Sequence, residues 1–225
     1  MVDDTQAILD YLQGCRPYNE QGILEAGGQP SVVGACIDFI CDNAGTELLM
    51  DLVLTDFLLQ FGWAEQVTLH VKAQPTYVSD ALVADVEMTI AAMKSPQHSD
   101  QFGGLATRLE SYRAQSQLHV RPDIFWNSSH FFWEIPPALN EELSQTALVI
   151  IKGDANYRRL LGDSRWPTTT PFAEAVPYFP APFVTLRTLK SDPIVGLPPG
   201  LAEQLDQIDA EWRVNGQRGV IQFVK

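Results

Sequence analysis

A lysine, a glycine, a carboxylate, an amide, a phenol and a guanidinium fall within seven positions at Lys152-Gly153-Asp154-Ala155-Asn156-Tyr157-Arg158. Packing needs none of these groups, whereas a small anionic, polyhydroxylated ligand can use them all. The alternative is a solvated strand-to-helix turn. Three other stretches carry similar chemistry: Asp42-Asn43, Asp80, and Arg187 to Lys190. Asp42, Asn43 and Asp80 offer only oxygen donors, two of them anionic. Such a set suits a hard divalent cation such as magnesium or manganese, with water completing the shell. Each also has a plain structural use, Asp42-Asn43 as a side-chain-stabilised turn and Asp80 as a helix N-cap. Glu47, four residues after Asn43, either orients a ligand or a bound hydroxyl group or sits as a first-turn carboxylate favoured by the helix dipole. Lys152, Arg158, Arg187 and Lys190 are candidate phosphate or carboxylate contacts, arginine as a bidentate fork and lysine as a point charge. In so acidic a chain they serve equally as ordinary salt-bridge partners.

These groups have to be placed by the elements around them. The run Ala147-Leu148-Val149-Ile150-Ile151 reads as a strand buried on both faces, so the 152–158 segment follows its carboxyl end. Val32 to Cys41, Val67 to Lys72, Phe183 to Leu186 and Gly219 to Val224 read as further strands. Residues 5–13, Glu47 to Phe61, Ala81 to Ile90 and Leu105 to Gln115 read as helices, with a further one expected around Tyr157 to Leu161. A Gly/Pro loop through Gly27-Gly28-Gln29-Pro30 and a long surface or lid-like loop from Trp166 to Pro182 are expected. Strand-helix alternation predicts an α/β/α sandwich of three layers, a single 1–225 domain with a mainly parallel sheet. In parallel strands the four dense turns emerge at one sheet edge, where open α/β sheets bind ligands. The aromatic runs Phe125-Trp126 and Phe131-Phe132-Trp133, with His130 beside the latter, are expected near the site.

Composition narrows the partners. The chain has 225 residues, a net charge of -13 and a pI near 4.6, which argues against nucleic-acid and anionic-membrane surfaces. Cys15, Cys36 and Cys41 form neither an even framework nor a CxxC pair, and the four histidines lack metal-ligand spacing. No signal peptide or membrane-length apolar run is present, so a reducing cytoplasmic setting is expected. Dinucleotide, P-loop and α/β-hydrolase fingerprints are absent.

The motifs in order are Asp42-Asn43-Ala44-Gly45-Thr46-Glu47-Leu48, Asp51 to Leu59, His70-Val71-Lys72 and Val78-Ser79-Asp80, then Lys152 to Arg158, Gly162-Asp163, Trp166-Pro167 and Arg187-Thr188-Leu189-Lys190. In order and spacing over nearly the whole chain they resemble the metal-dependent damage-control phosphatase family. The match is to its Arg-Thr-x-Lys subgroup, which includes sugar-phosphate phosphatases and an acidic residue methyltransferase. The resemblance implies that Asp42, Asn43 and Asp80 hold the metal, which would be Mn, Co, Ni or Mg. It also implies that Asn156, Tyr157, Arg158 and Lys190 contact a small phosphorylated metabolite, with Asp154 close by and Asp42, Asn43, Asp80 and Asp154 forming the catalytic set. The implied reaction is hydrolysis of small sugar phosphates of the fructose 1-phosphate and fructose 6-phosphate class, by attack of water or of a carboxylate. Members of the subgroup usually carry a helical N-terminal region before the Asp-Asn turn. Here that turn arrives at residue 42, so the chain is expected to correspond to the C-terminal half. The alternatives are an S-adenosylmethionine-dependent protein-glutamate O-methyltransferase, disfavoured by the lack of a glycine-rich methyl-donor loop, and an inactive truncated paralogue.

Overall fold

The computed structural model describes residues 1–15 and 35–225. The expected Gly/Pro loop through Pro30 and the first residues of the first expected strand, Val32 to Gly34, lie outside the described residues. The chain forms two compact units, one spanning Leu9–Ser128, the other Met1–Ile8 with Ser129–Lys225. Helix α1 (Thr5–Cys15) opens the chain.

In the Leu9–Ser128 unit, β1 (Cys36–Ile40), β2 (Gln66–Lys72) and β3 (Leu118–Asp123) run parallel in the order β3-β2-β1. Ile37, Phe39 and Ile40 of β1 and Val67, Leu69 and Val71 of β2 are wholly buried. Burial of each such side chain contributes about 1.5–3 kcal/mol. Polar exceptions are Asp38 and His70, whose Oδ2 and Nε2 lie 3.0 Å apart with both residues buried. Pairing removes most of the cost of burying either group. Strand β3 was not expected, because Pro122 and the exposed Arg121 obscure its pattern. Within this unit β3 pairs only with β2, an edge position where proline is tolerated.

Helix α2 (Thr46–Gln60) follows β1 and turns Leu48, Leu52, Thr55 and Leu59 inward at helical spacing. It is tied to α4 (Ser99–Ala114) by a bidentate pair, Arg108 Nε and Nη2 to Asp56 at 2.8 and 2.7 Å. Between them, α3 (Val83–Met93) buries Val86, Ile90 and Met93.

In the other unit, β4 (Leu148–Lys152) and β5 (Phe183–Thr188) are parallel and β6 (Gly219–Val224) is antiparallel to β5. All five residues of β4 are buried. Helix α5 (Pro137–Ser144) precedes β4, and α6 (Gly153–Leu160) starts directly after it, with Gly153 taking a positive φ of 83° to make the junction. The helix expected around Tyr157 to Leu161 therefore begins a full turn earlier; Lys152 closes β4 and residues 153–158 are helical. The Trp166–Pro182 stretch is exposed or half-buried over most of its length and is anchored at a few points. It contains α7 (Phe172–Ala175) with Phe172 buried, and the Thr168 and Thr170 carbonyls accept the Leu197 and Gly196 amides at 2.8 Å. Helix α8 (Leu201–Ile208) seats Ala202 and Leu205 against Trp212, Leu189 and Ile194.

The α/β class with a mainly parallel sheet is thus as the strand-helix alternation predicted. No described helix is long and apolar enough to cross a membrane.

Candidate functional site

Residues Asp42 and Asn43 leave β1 and reach α2 through Gly45, whose φ of 72° suits a residue without a side chain. Asn43 bridges Asp80 in antiparallel fashion, the Ala81 amide donates to the Asp42 carbonyl at 3.0 Å and the Ala44 amide to the Ser79 carbonyl at 2.7 Å. Backbone pairing therefore gathers the three expected metal ligands in one place. Asn43 Nδ2 donates to Asp42 Oδ2 at 3.1 Å and to Glu47 Oε2 at 3.0 Å, while Ser79 Oγ donates to Asn43 Oδ1 at 2.6 Å. These contacts orient the amide with its oxygen towards Ser79 and its nitrogen towards two carboxylates.

Asp80 is not the N-cap of α3; that place belongs to Leu82. Its Oδ2 instead accepts the Thr76 and Tyr77 amides at 2.9 and 2.8 Å, and its Oδ1 accepts Lys72 Nζ at 3.2 Å. Burial raises the Asp80 pKa, but the Tyr77 and Thr76 amides and the Lys72 ammonium outweigh it and hold the carboxyl below its ordinary value. The group is ionised at neutral pH. Two carboxylates and an amide oxygen are hard donors of the kind a magnesium- or manganese-type cation takes, although here the Asn43 nitrogen, not its oxygen, faces Asp42.

In the other unit, Asp154 lies in the first turn of α6 and Arg187 near the end of β5. Asp154 Oδ1 accepts Arg187 Nε at 2.8 Å and the Lys190 amide at 3.2 Å. Arg187 Nη2 also donates to the Ser191 carbonyl and hydroxyl at 2.9 and 3.0 Å, Nη1 reaches the Pro193 carbonyl, and the guanidinium lies 4.0 Å from the Tyr157 ring centroid. Although expected as an anion contact, Arg187 is buried and its donors are spent inside the fold. Lys190 is exposed, and its ammonium makes no ion pair among the described residues.

Tyr157 and Asn156, expected to touch substrate, face inward. Tyr157 is 0% exposed; its hydroxyl donates to Gln222 Oε1 at 2.9 Å and accepts the Val195 amide at 3.3 Å, and burial pushes its pKa up to about 12. Asn156 is buried, with Nδ2 on the Lys152 carbonyl at 2.9 Å. Arg158 is half exposed and forms a bidentate pair with Asp163 at 2.7 and 2.6 Å. That pair lines a pocket of about 340 Å³ with Arg165, Ser191 and Asp192.

The aromatic expectation divides. Phe125 and Trp126 are buried, Trp126 edge-on to His70 at 5.6 Å, while His130 is exposed and paired with Glu134 at 2.9 Å. Lys72 contacts Asp80, Ser79 contacts Asn43, and Asn127 holds the 73–76 segment; the first two lie inside the motifs read from the sequence, whereas Asn127 left no local signal there.

The damage-control phosphatase ARMT1-like domain model matches residues 1–205. Proteins named damage-control phosphatase ARMT1 are similar. The Xenopus laevis protein is 40% identical over 99% of this chain and 49% of its own length, the human protein 37% over the same shares, and the Rattus norvegicus protein 39% over 83% and 43%. A crystal structure of a DUF89 family protein from Pyrococcus horikoshii aligns with 91% of this chain and 48% of its own, at a TM-score of 0.45 and 15% identity. The chain spans about half the length of the curated relatives it matches. With a family model covering nearly all of its residues, the chain belongs to the ARMT1-like damage-control phosphatase domain family.

Proposed function

We propose that this chain carries a metal-dependent phosphoric monoester hydrolase activity towards small sugar phosphates, of the fructose 1-phosphate and fructose 6-phosphate class. The observation that carries the reading is the backbone bridge that brings the Asp42-Asn43 turn beside Asp80, placing two carboxylates and a side-chain amide on adjoining turns. A bound Mn, Co, Ni or Mg ion would supply Lewis-acid polarisation of the phosphoryl oxygens. Asp42 and Asp80 contribute the anionic oxygens, and Glu47 and Ser79 hold the Asn43 amide in a single orientation. Lys72 balances the charge of Asp80 while the Thr76 and Tyr77 amides fix its carboxylate plane.

On the substrate side, Lys190 offers an exposed ammonium, and Asp154 positions it through its backbone amide. Arg158 offers a fork that a phosphate can take in place of Asp163. We assign Asn156 and Tyr157 to the support of this segment, since both side chains are buried beneath it. The proposed ligand is a soluble phosphorylated metabolite, with no role for nucleic acid or membrane.

The test is phosphate release from fructose 1-phosphate and fructose 6-phosphate in the presence and absence of each metal. Release should require metal and disappear in Asp80→Asn. Equal release in excess chelator retires the proposal.

A further inference from the structure

We propose that Asn127 is a positioning residue for the metal turn, acting through the loop that holds Asp80; the inference rests on the assignment of Asp80 as a metal ligand. Asn127 closes the short 3-10 turn Ile124–Asn127 after β3, more than fifty residues from the segment it grips. Its Oδ1 accepts the Ala73 amide at 2.7 Å and the Gln74 amide at 3.4 Å, and its Nδ2 donates to the Gln74 carbonyl and to Thr76 Oγ1, the latter at 2.9 Å. The oxygen meets donors and the nitrogen meets acceptors, so the orientation of the amide is fixed by its surroundings.

The gripped segment is the start of the 73–80 loop. That loop leaves β2 at Lys72 and returns beside it, where the Lys72 amide donates to the Ala81 carbonyl at 2.9 Å. Its tip is bare, with Tyr77 and Val78 exposed, so no apolar packing holds it there. What holds it are the two amides of Thr76 and Tyr77 on Asp80 Oδ2 and the Asn127 side chain on residues 73 to 76. Asn127 thus sets where the Thr76 and Tyr77 amides point. These amides set the Asp80 carboxylate, engaging Oδ2 and directing Oδ1 towards the side of Lys72. Partners one step removed from a metal ligand typically change metal affinity by about 10–100-fold when lost.

Manganese binding by titration calorimetry on the full chain tests this, beside Asp80→Asn and the remote control Thr107→Ala. Asn127→Ala, one step further out than the partners whose loss typically costs about 10–100-fold, is expected to weaken Mn2+ binding by about tenfold, with the control unchanged. Asn127→Asp keeps the acceptor, loses the donor, and should fall between Asn127→Ala and the unsubstituted chain. Amide hydrogen exchange on the metal-free protein gives a second readout: Thr76 and Tyr77 should exchange faster in both Asn127 variants, with β1 and β2 unchanged. If Asp80→Asn loses Mn2+ while both Asn127 variants bind as the unsubstituted chain does, the positioning role is overturned and the metal assignment stands. If Asp80→Asn binds Mn2+ normally, the metal assignment fails and the positioning role falls with it.

Discussion

Asp154 Oδ1 lies 2.8 Å from Arg187 Nε, joining the first turn of α6 to the end of β5 inside the fold. The arginine side chain is fully buried and the aspartate nearly so. This pair builds the scaffold from which Lys190 projects, because the same carboxylate oxygen accepts the Lys190 amide. Removing one partner of a buried pair leaves the other charge uncompensated. Arg187→Met should therefore destabilise the protein by about 3–5 kcal/mol in urea unfolding. The double variant Asp154→Leu, Arg187→Met should lose less than the two single losses added together; simple additivity would show that the two groups are not coupled.

Lys190 separates binding from stability. Its ammonium is exposed, so Lys190→Ala should change unfolding stability by no more than about 0.5 kcal/mol. Loss of a charge-assisted hydrogen bond to phosphate costs about 1.5–3 kcal/mol, which predicts a KM for fructose phosphates raised by about 10–100-fold. An unchanged KM would remove Lys190 from the substrate side.

Tyr157 should behave in the opposite way. Tyr157→Phe deprives Gln222 and the Val195 amide of their buried partner, at a cost of about 1–3 kcal/mol in stability. KM should stay as it is. A raised KM with unaltered stability would return the phenol to the set of substrate contacts.

The pH dependence follows from Asp80. Its folded carboxyl titrates below the ordinary value of 3.8, after burial is outweighed by the Tyr77 and Thr76 amides and Lys72. A depressed carboxyl contributes stability that is present above its unfolded pKa and is lost as pH falls through the folded one. The stability difference between the unsubstituted chain and Asp80→Asn should be full at pH 7 and begin to shrink as pH drops below about 4. Urea midpoints measured from pH 7 down to pH 3 check the sign; a gap that widens on acidification would contradict it.

Gly162 is a steric test of the α6 exit. Its φ is +67°, and a Cβ there would run into the Trp133 ring. Gly162→Ala should lower stability by about 1–3 kcal/mol in thermal unfolding. An unchanged melting temperature would mean that the ring moves aside freely.

Much of the frame was legible in the residues themselves. The alternation of Val67 to Lys72, the apolar run Leu148 to Ile151 and the helical spacing of Leu48, Leu52 and Leu59 are local patterns that burial imposes whatever the partner. The Asp42-Asn43 turn was visible as polar groups directly after an apolar strand, and Ser79-Asp80 as polar groups directly before a helical pattern. Strand β3 stayed hidden because Pro122 and Arg121 sit on an edge strand, where neither alternation nor full burial is demanded.

Only the tertiary structure decided what each dense segment does with its groups. Beginning α6 at Gly153 turned Asn156 and Tyr157 inward, because 3.6 residues per turn assign each position to a face once the first residue is set. Whether Arg187 meets a ligand or Asp154, and whether Asp80 caps a helix or takes Lys72, depended on which strands lay side by side. Asn127 reaches the 73–76 segment across more than fifty residues. Backbone periodicity follows from neighbours in the chain, whereas hydrogen-bond partners are chosen by proximity in space, and that proximity exists only once the strands have paired.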